Sequence, residues 1–474
     1  MASLPITALE GNPVPVDDAT LDAFASDLDG SLLRPDDEGY GDSVALWNGM
    51  ITKRPALVVR AASKADATRT VNFVAANGLE LSIRGGGHNI AGLALSDGGV
   101  TLDMSGLTAV EVDTDAGLAR VAAGATLGDI DRATQASGLA TTLGFVSGTG
   151  TAGLTLGGGF GYLTRRFGWT VDDLESAEIV TADGTTRIAS REDEPELFWA
   201  LRGGGGNFGV VTEFTYRLHE VGPQMTGGII AWPASEADRV LEAFRQVTGS
   251  APRELTLVVL RRNAPPAPWL PESAHGTPII AVVACHTGSV ESADEVLEPL
   301  TGLGGHLANT VQPKEYTAQQ SMLDATQPKG MHYYWKSEFV PELSDGLLSA
   351  YNEAFVDLKA PANQMVLFQV DGALNEHPED DGAMGNREAA FACVIQAMWA
   401  PDSAAGDANR DWVRGAWQGI KPFSTGGNYV NFQTADEPAE RTEASYRGNF
   451  QRLQAAKARY DPDNLFRVNR NISG

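Results

Sequence analysis

The first part of the chain alternates short apolar runs with segments of helical periodicity. ALVVRAA predicts a buried strand, and Ser63 and Asp66 after it have the spacing of a capping box, which satisfies free backbone N–H groups at a helix start. Gly78 predicts the end of this helix, and LELSI and GVTLDMS predict the strands that follow. Thr126 and Asp129 repeat the capping spacing before a second predicted helix. The pattern indicates strands and helices in alternation.

A different pattern begins near residue 220. Long apolar runs, ELTLVVL, PIIAVVACHTG, MVLFQV and AAFACVIQAMW, alternate with helical stretches and predict a largely antiparallel sheet covered by helices. After residue 420 the sequence returns to charged, helix-forming segments such as ERTEASYRGNFQRLQAAKARY. We therefore divide the chain into residues 1–219, 220–420 and 421–474.

Composition narrows the class of protein. The 474 residues include 43% hydrophobic residues, enough for real cores, and carry a formal net charge of −26. An acidic surface repels phosphate groups, so binding to nucleic acid or to an anionic membrane is not expected. Neither a signal-peptide pattern nor an apolar run of 18 residues is present, so we expect a cytoplasmic protein without a membrane span. Cys285 and Cys393 lie in apolar runs and are expected to be buried thiols.

Glycine clusters are the strongest local signal of a ligand. Gly85, Gly86 and Gly87 follow a predicted strand, and LGGGFG starts at Leu156; backbone N–H groups without neighbouring side chains can surround a pyrophosphate. The alternative is that these clusters are only tight turns. No stretch matches a P-loop, and the acidic residue of a nicotinamide-dinucleotide fingerprint is not clearly placed.

Other chemistry has little support. The seven histidines are scattered, without an H-E-x-x-H pair or a cysteine ligand set, so no metal site is expected. A G-x-S-x-G elbow is also missing, which disfavours a serine hydrolase.

Three motifs together carry a resemblance to a known family. RPALVVRAASKADATRTVNFVAANGLELSIRGGGHN, GFVSGTGTAGLTLGGGFGYLTRRFGWTVDDL and YRGNFQRLQAAKARYDPDNLFRVNRNI occur in this order. The chain resembles berberine-bridge-enzyme-like flavoproteins of the vanillyl-alcohol-oxidase superfamily. The resemblance implies an α+β fold in which residues 1–219 and 421–474 form a two-part PCMH-type FAD-binding domain. An inserted substrate domain of antiparallel sheet flanked by helices, residues 220–420, would lie between them.

The resemblance also implies where FAD binds. His88 matches the histidine that commonly carries FAD on its 8α-methyl carbon, whereas Val146 stands where bicovalent members have a cysteine, so a single covalent link is expected. The residues that would contact FAD are Arg84, Gly85, Gly86, Gly87, His88, Asn89, Gly148, Thr149, Gly150, Gly153, Leu154, Gly158, Gly159, Gly161, Val211, Asn431 and Asn469.

The catalytic base is not evident from the sequence. Many members have a tyrosine as the base where this chain has Phe432, and others have a glutamate on the strand that here reads FACVIQAMW. A core or strand-edge role competes with catalysis for every substitute, and a reaction without a protein base is the further alternative. The substitutes are Tyr334, Tyr429 and Asp371 as bases, Gln369 as a residue that orients the substrate, and Gln396 as a weaker candidate for the pocket.

The function implied is that of an FAD-dependent oxidase. It would remove hydride from a C–OH or C–N carbon of an oligosaccharide, an alkaloid or a polyketide-like molecule and reduce O2 to H2O2. A flavin-dependent oxygenase or oxidative cyclase of a natural-product pathway is one alternative, and a flavin-binding protein without turnover is another. The aromatic residues of the inserted segment fit sugars and aromatic rings equally well.

Overall fold

The computed structural model describes residues 3–355, 360 and 362–472. The N-terminal region is made of short strands and helices in alternation. Its elements are β1 (Ser3–Thr7), β2 (Pro13–Asp17), α1 (Asp18–Asp27), β3 (Ser31–Leu33), α2 (Tyr40–Val44), β4 (Leu57–Arg60), α3 (Lys64–Asn77), β5 (Leu81–Arg84), β6 (Val100–Asp103), β7 (Val110–Asp113), β8 (Leu118–Ala122), α4 (Leu127–Gln135), β9 (Leu139–Ala140), α5 (Thr151–Leu156), α6 (Thr164–Phe167), β10 (Leu174–Val180), β11 (Thr186–Ser190), α7 (Pro195–Leu201), β12 (Val210–Arg217) and β13 (His219–Glu220).

The middle region contains the longest strands, and the C-terminal segment is helical. The elements of the middle region are β14 (Gln224–Pro233), α8 (Ala237–Thr248), β15 (Leu255–Asn263), β16 (Pro278–His286), α9 (Val290–Thr301), β17 (Ala308–Asn309), β18 (Gln312–Glu315), α10 (Tyr316–Gln320), β19 (His332–Val340), α11 (Asp345–Glu353), β20 (Gln364–Gln369), β21 (Phe391–Trp399) and α12 (Gly406–Ile420). Two further α-helices follow, α13 (Ala439–Tyr446) and α14 (Phe450–Tyr460).

Two sheets form the core of the N-terminal region. One has the order β3-β4-β6-β5, with β4, β6 and β5 parallel, and the other is antiparallel with the order β11-β10-β12-β8-β7. Helix α3 packs against both sheets. The predicted capping boxes are confirmed at α3, by Ser63 and Asp66, and at α4, by Thr126 and Asp129. Gly78 ends α3 in the left-handed conformation at φ 61°, which glycine adopts without strain.

The middle region is built on one antiparallel sheet of eight strands. Its order is β17-β14-β16-β15-β20-β21-β19, and β18 also pairs with β14. Successive side chains point to opposite faces, so one face of β15 places Leu257 and Val259 against the helix layer. The other face, with Val258 and Leu260, points toward the N-terminal region. The predicted α+β fold with an antiparallel middle sheet is confirmed.

The C-terminal segment returns to the N-terminal region. Leu453 and Ala456 of α14 lie in the core of the five-stranded sheet, and Leu465 and Phe466 lie in the core around α3. Lys457 is buried there and donates to the carbonyls of Asn207 and Phe466 at 2.8 and 2.9 Å. These bonds connect α14 to the loop before β12.

Both cysteines are buried free thiols, as predicted. Within the described part of the chain, none of the helices has the length and apolar character needed to cross a lipid bilayer.

A buried ion cluster fastens the middle region to the N-terminal region. Asp172 accepts hydrogen bonds from Arg202 Nη2 at 3.1 Å and from Arg387 Nη1 and Nη2 at 2.6 and 2.8 Å, and all three side chains are almost fully buried. Asp381 and His377 adjoin the cluster, so its ligand atoms have the spacing of a metal site. The two guanidinium groups already compensate Asp172, which makes this an ion-pair network.

We predict that Asp172→Asn destabilises the protein. The change removes one carboxylate charge, which leaves the buried guanidinium of Arg387 without its carboxylate partner and Arg202 with Asp381 alone, and it costs about 3–5 kcal/mol in the free energy of unfolding. Denaturant unfolding measures the loss. Glu111→Gln is the control. Its ion pair with Arg120 is exposed, so losing it should leave the free energy of unfolding nearly unchanged. Equal unfolding midpoints for Asp172→Asn and the wild type would contradict the prediction.

Candidate active site

One large cavity lies where the three parts of the chain meet. The N-terminal region contributes the segments 85–89 and 144–157, the middle sheet contributes one face, and the C-terminal segment contributes Tyr429–Phe432 and Val468–Arg470. The cavity is therefore formed by residues that are more than 300 positions apart in the chain.

The floor of the cavity is a cradle made of glycine backbones. A Cβ atom added to Gly86 would lie 2.4 Å from the backbone N of Gly150, and one added to Gly150 would lie 2.3 Å from the backbone N of Gly86. Real Cβ atoms do not approach other atoms so closely, so both positions require glycine. Gly157 packs in the same way against the amide of Asn431.

His88 lies at the rim of the cradle. Its ring stacks on Trp47, with ring centroids 5.4 Å apart, and Trp47 in turn stacks on Tyr333 at 3.7 Å. Burial, assisted by the charge of Lys329, lowers the pKa of His88 to about 4, although the hydrogen bond to the Gly148 backbone acts in the opposite direction. The imidazole is therefore neutral, and nucleophilic, at physiological pH.

The cradle has the features that a dinucleotide needs. Asn469 donates to the carbonyls of Gly206 and Phe466, yet its buried Oδ1 has no hydrogen-bond partner among the described residues. The buried hydroxyl of Tyr446, which also lines the cavity, lacks a partner in the same part of the structure. Unsatisfied buried polar atoms beside a glycine floor fit a large polar ligand such as FAD.

Most of the predicted FAD contacts line this cavity. They are Gly85, Gly86, Gly87, His88, Asn89, Thr149, Gly150, Gly153, Leu154, Val211, Asn431 and Asn469.

The other five predicted contacts lie outside the cavity lining. Arg84 forms an ion pair with Asp103 at 2.6 Å, and Gly148 lies beside the ring of His88. The remaining three are packed against other parts of the protein, where a side chain would clash: Gly158 against Met384, Gly159 against Thr170 and Gly161 against Leu143. Their glycines are required by packing.

One face of the middle sheet forms the roof. Even-numbered residues of β15 and β20 face the cavity, and so do Val394 and Gln396 of β21 and Trp335 of β19. Odd-numbered residues of β20, such as Met365 and Leu367, lie in the helix-side core. The lining is mainly apolar and aromatic.

This alternation moves three of the four catalytic candidates away from the cavity. Tyr334 points to the helix side, where its hydroxyl donates to Asp436 at 2.7 Å and accepts from Arg414 at 3.0 Å. Gln369 is buried on the helix side and donates to the carbonyl of Thr248.

Asp371 follows the end of β20 and pairs with Arg165 at 2.6 Å. The expectation that Gln369 and Asp371 face the cavity is corrected because the strand exposes its other face there.

Tyr429 is the one catalytic candidate of the four that lines the cavity. Its hydroxyl oxygen accepts hydrogen bonds from the Gly159 backbone N–H at 3.1 Å and from Asn431 Nδ2 at 3.0 Å. Burial raises the pKa of Tyr429 to about 12, although these two bonds act to lower it. The phenol stays protonated at neutral pH and is a hydrogen-bond donor.

Phe432 also lines the cavity, in an aromatic cluster with Trp335 and Tyr429 at centroid distances of 5.1 and 4.8 Å. No phenol stands at this position to serve as a base.

Sequence reasoning missed several polar residues of the roof. The cavity is lined by Gln327, Gln364 and Arg262, and also by Gln396, the weaker candidate predicted from the sequence. Arg262 has the same parity as Val258 and Leu260, so the alternation in ELTLVVLRRN was the available signal.

Comparisons with known proteins agree with this geometry. The family described as FAD binding domain matches residues 55–190, and the family described as berberine and berberine like matches residues 428–473. The (R)-6-hydroxynicotine oxidase of Paenarthrobacter nicotinovorans is 28% identical over 465 residues, covering 94% of this chain and 97% of that protein.

The crystal structure of 6-hydroxy-D-nicotine oxidase from Arthrobacter nicotinovorans superposes with a TM-score of 0.82 at 27% identity, covering 94% of this chain and 98% of that one. An FAD-dependent monooxygenase of Fusarium proliferatum is 39% identical over 204 residues, covering 42% of this chain and 39% of that protein.

We predict that Gly86→Ala moves the loop of Gly86 away from the loop of Gly150 and so disrupts the cradle. The new methyl group would overlap the backbone of Gly150, which costs roughly 1–3 kcal/mol in stability and separates the two loops. The purified variant should contain less flavin per protein than the wild type, measured by visible absorption. Gly419→Ala is the control, because nothing lies within 4 Å of a Cβ atom there. Full flavin content in Gly86→Ala would contradict the role of this contact.

Proposed function

This chain belongs to the berberine bridge enzyme-like family of FAD-linked oxidoreductases, and we propose that it is an FAD-dependent oxidase of a small organic molecule. The observation that carries the proposal is a single cavity in which a glycine cradle with a neutral histidine at its rim faces an apolar sheet. FAD held there supplies hydride acceptance from a C–OH or C–N carbon and transfer of the electron pair to O2, which yields H2O2.

The chain's own residues suggest how FAD would be held. The backbones of Gly85, Gly86 and Gly87 offer N–H groups for the pyrophosphate, and Asn469 Oδ1 offers a free acceptor. His88 would form the one covalent link. Val146 lines the cavity without a thiol and so offers no second one.

The roof favours a flat apolar substrate over an oligosaccharide. The walls of the cavity include Phe145, Phe160, Phe368 and Trp269, and within the described lining no carboxylate faces the cavity. A sugar chain needs many hydrogen-bonding partners, whereas aromatic walls suit an aromatic alcohol or amine. We therefore place the substrate among aromatic molecules.

Tyr429 would act as a donor, not as a base. Its oxygen already accepts two hydrogen bonds, so its proton is free to bond a molecule in the cavity. With no carboxylate among the described lining residues, the proton of the substrate's O–H or N–H would pass to water.

An oxygenase is the second candidate, favoured by the 39% identity over 204 residues to a monooxygenase and by Phe432 in place of a phenol. Measuring O2 and H2O2 together separates the two: the oxidase releases one peroxide per O2 consumed, and an oxygenase releases less. A protein that only binds flavin would show neither O2 uptake nor substrate-dependent bleaching of the flavin.

We predict that acid precipitation of the wild type leaves the yellow colour with the protein, and that His88→Ala releases it. The neutral imidazole of His88 lines the cavity and would be the attached nucleophile, so its loss should remove the attachment. Absorption of pellet and supernatant measures the outcome. His332→Ala is the control, because this ring contacts Trp399 outside the cavity. Colour in the wild-type supernatant would refute covalent attachment and leave FAD binding intact.

We predict that Tyr429→Phe slows flavin bleaching roughly tenfold by removing a hydrogen bond. A screen of aromatic alcohols and amines supplies the bleaching compound. The ratio of wild-type to variant rates should stay constant between about pH 6 and pH 9, since a phenol with a pKa of about 12 does not ionise there.

Tyr334→Phe is the control and should keep the wild-type rate, because Tyr334 lies on the helix side of the sheet. A rate ratio that rises with pH would show that Tyr429 is a base.

A further inference from the structure

Four residues of the roof form a straight row across four neighbouring strands. In the strand register Trp335 of β19 is opposite Gln396 of β21, Gln396 is opposite Gln364 of β20, and Gln364 is opposite Arg262 of β15. All four side chains line the cavity. This polar row crosses a face that is otherwise apolar along β15 and β20.

Hydrogen bonds run in one direction from Arg262 through Gln364 to Gln396. Arg262 Nη1 donates to Gln364 Oε1 at 3.3 Å, and Gln364 Nε2 donates to Gln396 Oε1 at 2.9 Å. Gln396 and Gln327 then form a reciprocal amide pair, in which Gln396 Nε2 donates to Gln327 Oε1 at 3.0 Å and Gln327 Nε2 donates back to Gln396 Oε1 at 3.4 Å. The amides are thereby fixed in orientation, and they hold the guanidinium group at one end of the row.

The charge of Arg262 has no counter-ion in the part of the chain that the structure describes. Its other hydrogen bond goes from Nε to the carbonyl of Asn263 at 3.2 Å. A guanidinium has five N–H donors, so most of its Nη donors are left for a ligand. Burial lowers the pKa of Arg262, and no carboxylate of the described residues offsets this effect.

The other cavity guanidinium is in a different situation. Arg470 donates to the carbonyls of Gln433 and Thr434, and Glu437 and Asp436 act on its charge. Arg262 is therefore the cation that lacks compensation at the cavity wall. A half-buried cation without a counter-ion is stabilised when an anion binds beside it.

We propose that the substrate carries a carboxylate group, which Arg262 binds at the end of the polar row. This inference rests on the proposed function and narrows its substrate to a flat aromatic carboxylate. The guanidinium fork matches a carboxylate in geometry as well as in charge. At the opposite end of the row, three strands away from Arg262, Trp335 has a buried indole N–H that has no partner among the described residues. The attraction is local, since the net charge of −26 repels anions over longer distances.

Binding of two matched probes to the flavin-loaded protein tests this proposal. 2-Naphthoate and 2-naphthamide share a ring system and differ in charge, and each is titrated while the visible flavin band is recorded. We expect 2-naphthoate to bind roughly 10- to 100-fold more tightly, the usual range for a charged hydrogen bond. Equal affinities, or tighter binding of the amide, would overturn the proposal.

Variants of β15 test whether Arg262 is the residue that causes the preference for 2-naphthoate. Arg262→Gln should remove the preference for 2-naphthoate while the flavin band persists, and Arg262→Lys should keep part of it. Arg261→Gln is the matched control, because this neighbour points to the other face of the sheet and donates to Asn352 Oδ1 at 2.6 Å. Arg261→Gln should retain the full preference.

Two further outcomes would count against Arg262. An undiminished preference in Arg262→Gln would place the anion elsewhere, and loss of flavin from this variant would assign the guanidinium to the cofactor. Both leave the oxidase proposal standing. A wild-type protein that takes up no flavin would instead refute the proposed function itself, so the two failures are distinguishable.

Discussion

The contact between the backbones of Gly86 and Gly150 is the constraint on which the cavity depends. These residues lie in two loops, one after β5 and one before α5, and no side chain fits between them. Bringing two loops together in this way exposes peptide N–H groups on one surface. It also fixes the position of His88, two residues after Gly86, against Trp47. The cradle and the attachment point are thus consequences of one close approach.

The opposite wall follows a different rule, the alternation of side chains along strands. Because the helices α8, α9, α11 and α12 cover one face of the middle sheet, its other face is left to form the roof. A strand here serves two environments at once: Val366 and Phe368 meet the cavity, while Met365 and Leu367 meet the helices. The side chains available to a ligand at this wall are therefore every second residue of each strand.

These two rules explain which predictions from the sequence succeeded. Capping boxes and glycine clusters are local signals, so Ser63, Thr126 and the cradle glycines could be found without knowledge of the fold. Whether the odd- or the even-numbered side chains of a strand face a cavity depends on the tertiary structure. Tyr334 and Gln369 have suitable chemistry, but their strands turn them away from the cavity. The alternation along β15 puts Arg262 on the same face as Val258 and Leu260, but only the folded structure shows that this face lines a cavity.

The last part of the chain closes a site whose floor is made near its beginning. The amide of Asn431 packs against Gly157, and Asn469 donates to the carbonyl of Gly206. Lys457, in the helix between these two residues, donates to the carbonyl of Asn207. During synthesis the cradle leaves the ribosome hundreds of residues before these partners do. A polypeptide cut before residue 421 would keep the glycine cradle but lose the cavity wall that Tyr429–Phe432 and Val468–Arg470 form.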